Sequence, residues 1–292
     1  MPKIILYTHA YNAERTIGRT IDSVIAQTHN DWAYYCLDNG STDDTGIIID
    51  EYAAKDPRIV ALRNKANIRG ALRLQKHDQQ FAFSRQFDYF ANLDADDTYE
   101  PGFFSEMLMF LTKHNLEIAS CRSNFVDYAT GDINNEYILE RDLLISGEGF
   151  GTLFPEYFRF FGQLWGNLIS CELLRRVDYD MLDSHLAAFD MAHCSDNVYM
   201  LFLLRYAKKA GILARLLHNY YISPNSFSQS NNLGKRLVDM KKRPELCRMF
   251  LREKIGYISD ANDNYIIDFT KRAVAEVQAF MIGAKSADNI SH

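Results

Sequence analysis

Three carboxylates lie together at the end of an apolar run in the segment Ala91–Asp97. Asp94, Asp96 and Asp97 fall within four residues of one another. In an extended chain the side chains of Asp94 and Asp96 project to the same side, because successive side chains alternate. Magnesium and manganese bind one or two such carboxylates and take their remaining ligands from diphosphate oxygens and water. The same cluster also fits an acidic loop that caps the helix predicted after Pro101, so the rest of the chain must decide.

The composition limits the classes of protein to which the chain can belong. Its 292 residues are 47% hydrophobic and 13% aromatic, which is enough for one large α/β domain, with or without an appendage. The net charge of −6, without a long basic run, argues against a nucleic-acid partner. No apolar window approaches about 18 residues, so no transmembrane helix is expected. The N-terminus shows no secretory signal pattern, and we expect a cytoplasmic protein.

The first third of the chain alternates short apolar runs with amphipathic segments, which is typical of βαβ units on a parallel sheet. The predicted strands are Lys3–Thr8, Trp32–Leu37, Arg58–Arg63 and Phe87–Leu93. The predicted helices are Ala13–Gln27 and Asp43–Ala54, and a further helical stretch follows Asn67. Ligands of such sheets bind beyond the carboxyl ends of the strands.

Polar segments follow three of the predicted strands at that edge. They are Thr8–Asn12, Asp38–Thr42 and Asp94–Asp96. Because parallel strands end at the same edge of their sheet, we expect these three segments to converge on one crevice.

The second half of the chain has a different pattern. Residues 117–127 and Ile212–Ile222 are predicted as strands, and residues 128–162 as a turn-rich, aromatic connection. Helices are predicted at Leu164–Arg176 and Asp196–Ala207, a Ser/Asn-rich loop at 223–232, and helical structure over 235–292.

Four segments in this order resemble the GT-A nucleotide-sugar glycosyltransferases of family 2, a large inverting family. They are Thr8–Ala13, Leu37–Asp43, Leu93–Asp97 and Ser195–Asn197, and the resemblance covers roughly residues 2–230. It implies an α/β fold of the GT-A type, Rossmann-like, with a mostly parallel sheet flanked by helices. It also implies a catalytic domain at 1–232, with a nucleotide-binding half (1–98) and an acceptor half (99–232). A helical C-terminal extension at 233–292 has no part in it.

The resemblance implies a transfer of sugar from a nucleoside-diphosphate sugar to an acceptor hydroxyl, with Mn²⁺ or Mg²⁺ as cofactor. Asp96 is then the principal metal ligand, and Asp94 faces the ribose hydroxyls. Asp97 is interpreted as a cap of the following helix. His218 is a further candidate, either as a metal ligand or phosphate donor or as a hydrogen-bonded structural residue.

The resemblance also implies which residues surround the nucleotide. Thr8, Ala10 and Asn12 fall where the family cradles the base and ribose, and Asp38 and Asn39 fall on a pair that usually reads Asp-Asp. An asparagine still accepts a hydrogen bond from uracil but also donates one, so uridine is favoured while guanine and thymine stay open. Two arginines, Arg69 and Arg73, are candidates for diphosphate or base contacts, or are solvated helix charges.

Asp196 is the candidate general base, at a helix start where the family usually has Glu-Asp and this chain has Ser-Asp. Its structural alternative is an acidic residue stabilised by the helix dipole, and Asp190 is the second candidate base. Trp165 and the aromatic group before it form either a sugar-stacking platform or part of the core. The members of that group are Tyr157, Phe158, Phe160 and Phe161.

Two other classes of protein remain as alternatives. A sugar nucleotidyltransferase also holds magnesium with carboxylates on a parallel sheet. Such enzymes usually have a Gly-rich, basic phosphate loop near the N-terminus, whereas Thr8–Asn12 contains neither Gly nor Lys. A catalytically inactive GT-A-like binding protein is the third class. The presence of Asp94, Asp96 and Asp196 argues against it, since these charges repel one another without a metal.

The expected acceptor is a carbohydrate or a lipid-linked sugar, in polysaccharide or glycoconjugate synthesis. The extension is amphipathic, so its apolar face must be buried against its own domain, a second copy of the chain or a membrane surface. Its first residues are locally basic, from Lys235 to Arg243, which would suit anionic lipid at the inner face of the membrane. Own-domain packing or a homodimer through these helices is the preferred interpretation.

Overall fold

A computed structural model describes residues 1–68, 86–135, 138–189, 195–222 and 233–288. The strands are β1 (Ile4–Ala10), β2 (Trp32–Asp38), β3 (Ile59–Arg63), β4 (Tyr89–Asn92), β5 (Thr98–Tyr99), β6 (Ile118–Asp127), β7 (Ile133–Asn134), β8 (Leu143–Ser146), β9 (Asn167–Ser170) and β10 (Lys209–Ile222). They form one sheet in the order β3-β2-β1-β4-β9-β6-β10-β5, with β7 beside β6 and β8 beside β10. The predicted α/β class with a central sheet is confirmed.

The helices lie before, between and after these strands. They are α1 (Ile17–Ile25), α2 (Thr45–Lys55), α3 (Phe103–His114), α4 (Gly149–Thr152), α5 (Phe154–Tyr157), α6 (Cys171–Arg175), α7 (Tyr179–Phe189), α8 (Ser195–Tyr206), α9 (Leu233–Ile255) and α10 (Asp260–Asp288). The helix predicted after Asn67 and the loop predicted at 223–232 fall almost wholly outside the described residues. A helical C-terminal region is present, as expected.

The parallel part of the sheet positions the predicted crevice. β1 pairs in parallel with β2 and β4, which places Ala10 opposite Asp38 and Tyr7 opposite Asn92. The strand ends therefore meet at one edge, as the βαβ pattern predicts. Helix α1 follows β1 and buries Ile17, Ile21 and Val24, which share one helix face.

The second half of the sheet adds antiparallel strands, and one prediction there was wrong. Leu164–Arg176 was predicted as a helix, but Asn167–Ser170 is strand β9, inserted antiparallel between β4 and β6. Only the short helix α6 (Cys171–Arg175) follows it. The four residues of β9, of which only Leu168 and Ile169 are apolar, fit a short strand or a helix turn equally well, and the pairing with β4 and β6 decides between the two.

Each face of the sheet carries its own hydrophobic core, because alternate strand residues point to opposite sides. Ile4 and Leu6 of β1 lie in the core covered by α1 and α3, whereas Ile5 and Tyr7 lie in the core on the other face. That second core contains the aromatic residues of α4 and α5 together with buried residues from α8 and both C-terminal helices. The edge of the sheet with the predicted crevice is thus held between two packed layers.

The C-terminal helices bury apolar side chains in the second core. Leu246, Phe250 and Leu251 of α9 and Ile266 of α10 are at most 2% exposed. The ring of Phe250 stacks on that of Phe154, with centroids 6.1 Å apart. Own-domain packing is therefore observed for these side chains. None of the described helices is long and apolar enough to cross a membrane.

Candidate active site

The floor of the crevice links β1 to the carboxylate segment. The Thr8 hydroxyl donates to the carbonyl of Leu93 at 2.7 Å and accepts from the Tyr34 hydroxyl at 2.9 Å. Thr8 is fully buried, so its side chain lies beneath the crevice and supports the turn that carries Asp94. Ala10 is also fully buried, and its carbonyl accepts from the Asn39 backbone amide at 2.8 Å.

The loops after β1 and β2 are joined through Asn12. The Asn12 side-chain Oδ1 accepts from the Thr42 backbone amide at 2.9 Å, and the Asn12 backbone amide donates to the Ser41 hydroxyl at 3.0 Å. Asn12 has a φ of 50°, a left-handed conformation that asparagine adopts more readily than most residues. Two of the three predicted strand-end segments are thereby brought together, and Asn12 lies exposed at their junction.

Asp38 and Asn39 are both buried at the end of β2. The Asp38 Oδ1 accepts from the Ser41 backbone amide at 2.9 Å, and its Oδ2 lies 3.7 Å from the Arg63 guanidinium. Gly40 follows with a φ of 76°, and a Cβ there would lie 2.5 Å from the backbone carbon of Ala66. Only glycine allows this close approach of the two loops.

The side-chain amide of Asn39 is bonded within the protein. Its Oδ1 accepts from the Asn64 side chain at 2.8 Å and from the Ile68 backbone amide at 3.3 Å. Its Nδ2 donates to the Asn67 side chain at 3.2 Å and to the Ile68 carbonyl at 3.3 Å. Asn39 therefore ties the end of β2 to the segment 64–68, and its contact with a base stays a prediction.

Four carboxylates approach one another at the carboxyl end of β4. Burial raises the pKa of Asp94 well above its ordinary value, and the charges of Asp97, Asp96 and Asp196 raise it further. The Asn92 amide opposes this by donating to Asp94 at 3.3 Å. The predicted metal segment and the predicted base are thus close enough to interact, although Asp196 lies about a hundred residues further along the chain.

Two residues of helix α1 bind the backbone of the turn at Asp94–Asp97, and the sequence analysis identified neither of them. Arg19 donates to the Asp96 carbonyl at 2.7 Å, and its guanidinium stacks 3.6 Å from the Tyr221 ring centroid. The Thr20 hydroxyl donates to the Asp97 carbonyl at 2.8 Å. Burial raises the pKa of Asp96, and the Arg19 charge opposes that rise. The sequence signal that could have identified Thr20 is its position, since it is a polar residue on the apolar face of α1 that Ile17, Ile21 and Val24 form.

The interpretation of Asp97 as a helix cap was wrong. Its Oδ1 accepts from the Tyr221 backbone amide at 2.9 Å, and its Oδ2 lies 3.3 Å from His218 Nε2. Helix α3 instead has Gly102 at its N-cap, without a side-chain cap. Asp97 points into the sheet because β10 passes beside its turn, a contact between residues 124 positions apart.

His218 is fully buried beside Asp97. Burial lowers the pKa of His218 to about 3 and raises the pKa of Asp97. The charged form of each side chain is therefore disfavoured at this position. The other ring nitrogen of His218 lies 3.0 Å from the Ser123 hydroxyl, and Trp165 stacks on the ring at 4.5 Å between centroids. The role of His218 as a metal ligand stays a prediction.

Three of the four aromatic residues before Trp165 lie in the core. Tyr157, Phe158 and Phe161 are at most 3% exposed, so of the two interpretations, a sugar-stacking platform or part of the core, the core is confirmed for these three. Trp165 itself is half-buried and also stacks on Tyr220 at 5.3 Å.

Asp196 lies in the first turn of α8. The next residue, Asn197, is buried and donates through its side chain to the Gly162 carbonyl, which anchors the start of α8 to the segment before β9. The remaining predicted residues, Arg69, Arg73 and Asp190, lie outside the described residues.

The carboxylates at the end of β4 are candidate ligands of a divalent ion. Within 1–68, 86–135, 138–189, 195–222 and 233–288, no group of three or more His, Cys, Asp or Glu side chains is arranged to hold a metal. Asp94 and Asp96 supply two carboxylates whose protonation is favoured by burial. That pair fits Mg²⁺ or Mn²⁺, which take one or two protein carboxylates and complete their shell with phosphate and water.

Comparisons with known proteins agree with this geometry. The profile of the family described as Glycosyl transferase family 2 matches residues 6–179. A similar curated protein is the Escherichia coli UDP-Glc:alpha-D-GlcNAc-diphosphoundecaprenol beta-1,3-glucosyltransferase WfaP, 29% identical over 50% of this chain and 51% of its own. The chain spans about half the length of the curated relatives it matches.

Two solved structures share the fold. Staphylococcus aureus TarS 1–349 in complex with UDP-GlcNAc has a TM-score of 0.61 at 13% identity, over 95% of this chain and 83% of its own. The mannosyltransferase PcManGT from Pyrobaculum calidifontis, in complex with GDP-Man and Mn²⁺, has a TM-score of 0.58 at 13% identity. That match covers 98% of this chain and 76% of the other.

Proposed function

The chain belongs to glycosyl transferase family 2, and from that membership we propose that it transfers a sugar from a nucleoside-diphosphate sugar to an acceptor hydroxyl. The observation that carries the proposal is the approach of Asp94, Asp96, Asp97 and Asp196 at one strand end. A site that gathers carboxylates from β4 and α8 is suited to bind a cation and to remove a proton.

Asp96, with Asp94 beside it, would hold Mn²⁺ or Mg²⁺. When bound, the ion supplies a Lewis acid that neutralises the charge of the diphosphate leaving group. The raised pKa values of both aspartates support this role, because bringing their charges together is unfavourable without a cation. Arg19 and Thr20 would keep the turn in place through their bonds to its carbonyls.

Asp196 would act as the general base. It would accept the proton of the acceptor hydroxyl while that oxygen attacks the anomeric carbon and the nucleoside diphosphate leaves. One such displacement inverts the anomeric centre and needs no carboxylate nucleophile. The buried anchor of Asn197 supports this assignment, because it fixes the helix turn that carries the base.

The proposed donor is a UDP-sugar, and the proposed acceptor is a carbohydrate or a lipid-linked sugar in polysaccharide or glycoconjugate synthesis. The UDP-sugar in the name of WfaP and the UDP-GlcNAc bound to TarS support the choice of base. The lipid-linked sugar in the name of WfaP supports the acceptor class.

The test is nucleotide release by the purified chain, measured with Mn²⁺ and a panel of UDP-glucose, UDP-N-acetylglucosamine and GDP-mannose. We expect UDP release from at least one UDP-sugar. A nucleotidyltransferase would instead form pyrophosphate from a nucleoside triphosphate and a sugar phosphate. A binding protein would bind UDP without releasing it from a donor.

Asp96→Ala tests the metal assignment in the same assay. Removing one of several repelling carboxylates should leave the fold intact and abolish Mn²⁺-dependent UDP binding in calorimetry. Asp183→Ala, an exposed aspartate of α7, is the matched control and should bind as the parent does. Unchanged affinity in Asp96→Ala would refute the assignment.

A further inference from the structure

A fourth loop, residues 64–68, reaches the crevice edge after strand β3. Strand β3 pairs in parallel with β2, with Arg63 opposite Asp38, so this segment leaves the sheet beside the loop that carries Asn39. The Asn64 backbone amide donates to the Asp38 carbonyl at 2.9 Å, and the two strands therefore stay paired up to the start of the segment. The strand order places the segment on the side of the edge away from the carboxylates of β4.

The Asn39 side chain bonds both backbone groups of one residue in this segment. Its Oδ1 accepts from the Ile68 backbone amide at 3.3 Å, and its Nδ2 donates to the Ile68 carbonyl at 3.3 Å. These partners fix which end of the Asn39 amide is the oxygen, because a peptide N–H only donates and a carbonyl only accepts. Asn39 thus holds Ile68 as a neighbouring strand would, through one donor and one acceptor.

Two further hydrogen bonds use the remaining capacity of the Asn39 amide. Oδ1 also accepts from the Asn64 side chain at 2.8 Å, and Nδ2 also donates to the Asn67 side chain at 3.2 Å. A primary amide has two lone pairs on its oxygen and two hydrogens on its nitrogen, and here all four have a partner. Asn39 is only 7% exposed. Binding a base through this side chain would therefore break a bond to the segment and leave a buried polar group unpaired.

An aspartate at position 39 could make only half of these bonds. It would accept from the Asn64 side chain and the Ile68 amide, but it has no hydrogen to donate to the Asn67 oxygen or the Ile68 carbonyl. Its second oxygen would face these two acceptors from a buried position. The asparagine that stands where the family usually has aspartate is therefore matched to the path of the segment 64–68.

An independent contact holds the same two loops together. Gly40 has a φ of 76°, and its backbone lies so close to Ala66 that a Cβ would meet the Ala66 backbone carbon at 2.5 Å. Asn39 and Gly40 thus bind the segment through consecutive residues, one by hydrogen bonds and one by close backbone approach. Contacts within the protein alone are sufficient to fix the position of the segment.

We propose that Asn39 is a positioning residue of the donor site, which holds the segment 64–68 against the end of β2, and that its side chain makes no contact with the base. The inference rests on the proposed transfer reaction and replaces the base contact that the family pattern implies. A segment that is already held in place need not be ordered when a nucleotide binds, which improves the affinity for every base alike. Selection among uracil, guanine and thymine then depends on other groups.

The test measures the affinities of UDP, GDP and dTDP, each with Mn²⁺, by calorimetry on the parent and on Asn39→Asp. For every nucleotide that the parent binds, we expect the affinity to fall by a similar factor, roughly five- to thirtyfold, as the loss of one or two hydrogen bonds allows. A base contact predicts the opposite for UDP, because an aspartate accepts from uracil as well as an asparagine does.

Asn30→Asp is the matched control for this substitution. Asn30 is exposed and precedes β2, so the same chemical change is made at the opposite end of the same strand. We expect parental affinities in this variant. Melting temperatures of both variants are recorded, because a merely structural role of Asn39 would lower the melting temperature and leave the affinities of the folded protein unchanged.

Hydrogen exchange tests the same bonds without a variant. The Ile68 backbone amide should exchange slowly in the nucleotide-free parent, and it should stay protected when UDP and Mn²⁺ are added, because Asn39 keeps its bonds to the segment. In Asn39→Asp the Ile68 amide should exchange faster. Loss of protection on UDP binding would mean that Asn39 leaves the segment to contact the base.

Three results would overturn the inference: an unprotected Ile68 amide in the free parent, loss of its protection on UDP binding, or an unchanged or higher UDP affinity in folded Asn39→Asp. The first two need no variant, so a misfolded Asn39→Asp does not protect the inference. A parent that binds none of the three nucleotides would count against the proposed function. Nucleotide binding by the parent, with a change in Asn39→Asp that differs between bases, would refute this inference alone.

Discussion

The two sides of the crevice are built in different ways. The strand edge, formed by the turns after β1, β2 and β4, is joined by short hydrogen bonds between neighbouring loops, such as Asn12 with Thr42 and Thr8 with Leu93. The other side carries Asp196 on α8, and this helix, with α9 packed on it and α10 packed on α9, is placed by packing between distant segments, such as Phe154 on Phe250. We call these three helices the helical side. Substitutions on the strand edge should therefore act on donor binding, and those on the helical side on acceptor chemistry and stability.

Asp196→Asn gives the largest expected effect and tests that division directly. The amide keeps the size of the side chain but cannot take the acceptor proton, so turnover should fall by roughly 10²–10⁴-fold. UDP affinity in the presence of Mn²⁺ should stay close to the parent value, because the residues proposed to hold the nucleotide lie on the strand edge. Turnover with acceptor and calorimetry with UDP measure the two quantities.

Asp183→Asn on α7 is the control for Asp196→Asn, since it removes an exposed charge from a neighbouring helix. If Asp196→Asn keeps the turnover of the parent, another carboxylate must act as the base, and Asp190 is the next candidate. A large loss of UDP affinity in the same variant would contradict the division between the two sides.

Phe250→Ala tests whether the extension is part of the packed fold. Phe250 is 2% exposed and lies in the core shared by α5, α8 and α9, so its removal should lower the free energy of unfolding by about 3–5 kcal/mol. Val238→Ala on the same helix is the control, because Val238 is 51% exposed and should change stability by less than about 0.5 kcal/mol. Equal effects in urea denaturation would show that α9 packs only loosely.

The strand edge was largely predictable because each of its strands can be recognised from its own local sequence. Short apolar runs bounded by polar turns predicted β1, β2 and β3 to within three residues of their observed bounds. Parallel pairing then brings their ends together without further information. The sequence could not show that the Asn39 amide is bonded to the segment 64–68, since those contacts depend on the path of a loop.

The helical side was less predictable because its contacts join distant parts of the chain. Asp97 was misinterpreted since its acceptor oxygen faces Tyr221, far along the sequence, rather than the next helix. Strand β9 was missed because its four residues, of which only Leu168 and Ile169 are apolar, are too few to show a period. The partners of Arg159 on α10 have no local signature either.

Lys254→Met should have the smallest effect, and it concerns one side chain of the extension that contacts the end of helix α8. The Lys254 ammonium group donates to the carbonyl of Arg205 at 3.1 Å and to that of Ala207, at the C-terminal end of α8. It also lies 4.0 Å from the centroid of the Phe150 ring. Burial lowers the pKa of Lys254 from 10.5 to about 8, although the charge of Glu117 opposes the shift.

The sign of the pH dependence follows from that lowered pKa. Below about pH 8 the lysine is protonated in both the folded and the unfolded chain, so its burial cost is present in full. Between about pH 8 and 10.5 the folded chain releases the proton while the unfolded chain keeps it, and the cost is relieved. The stability of the parent relative to Lys254→Met should therefore rise with pH across this window.

Denaturation of both proteins at pH 7, 8, 9 and 10 measures the difference in their free energies of unfolding. Lys235→Met, which replaces an exposed lysine of α9, is the control and should show no such rise. A constant or falling difference would mean that the ammonium group is solvated, and that α9 and α8 are joined by their apolar contacts alone.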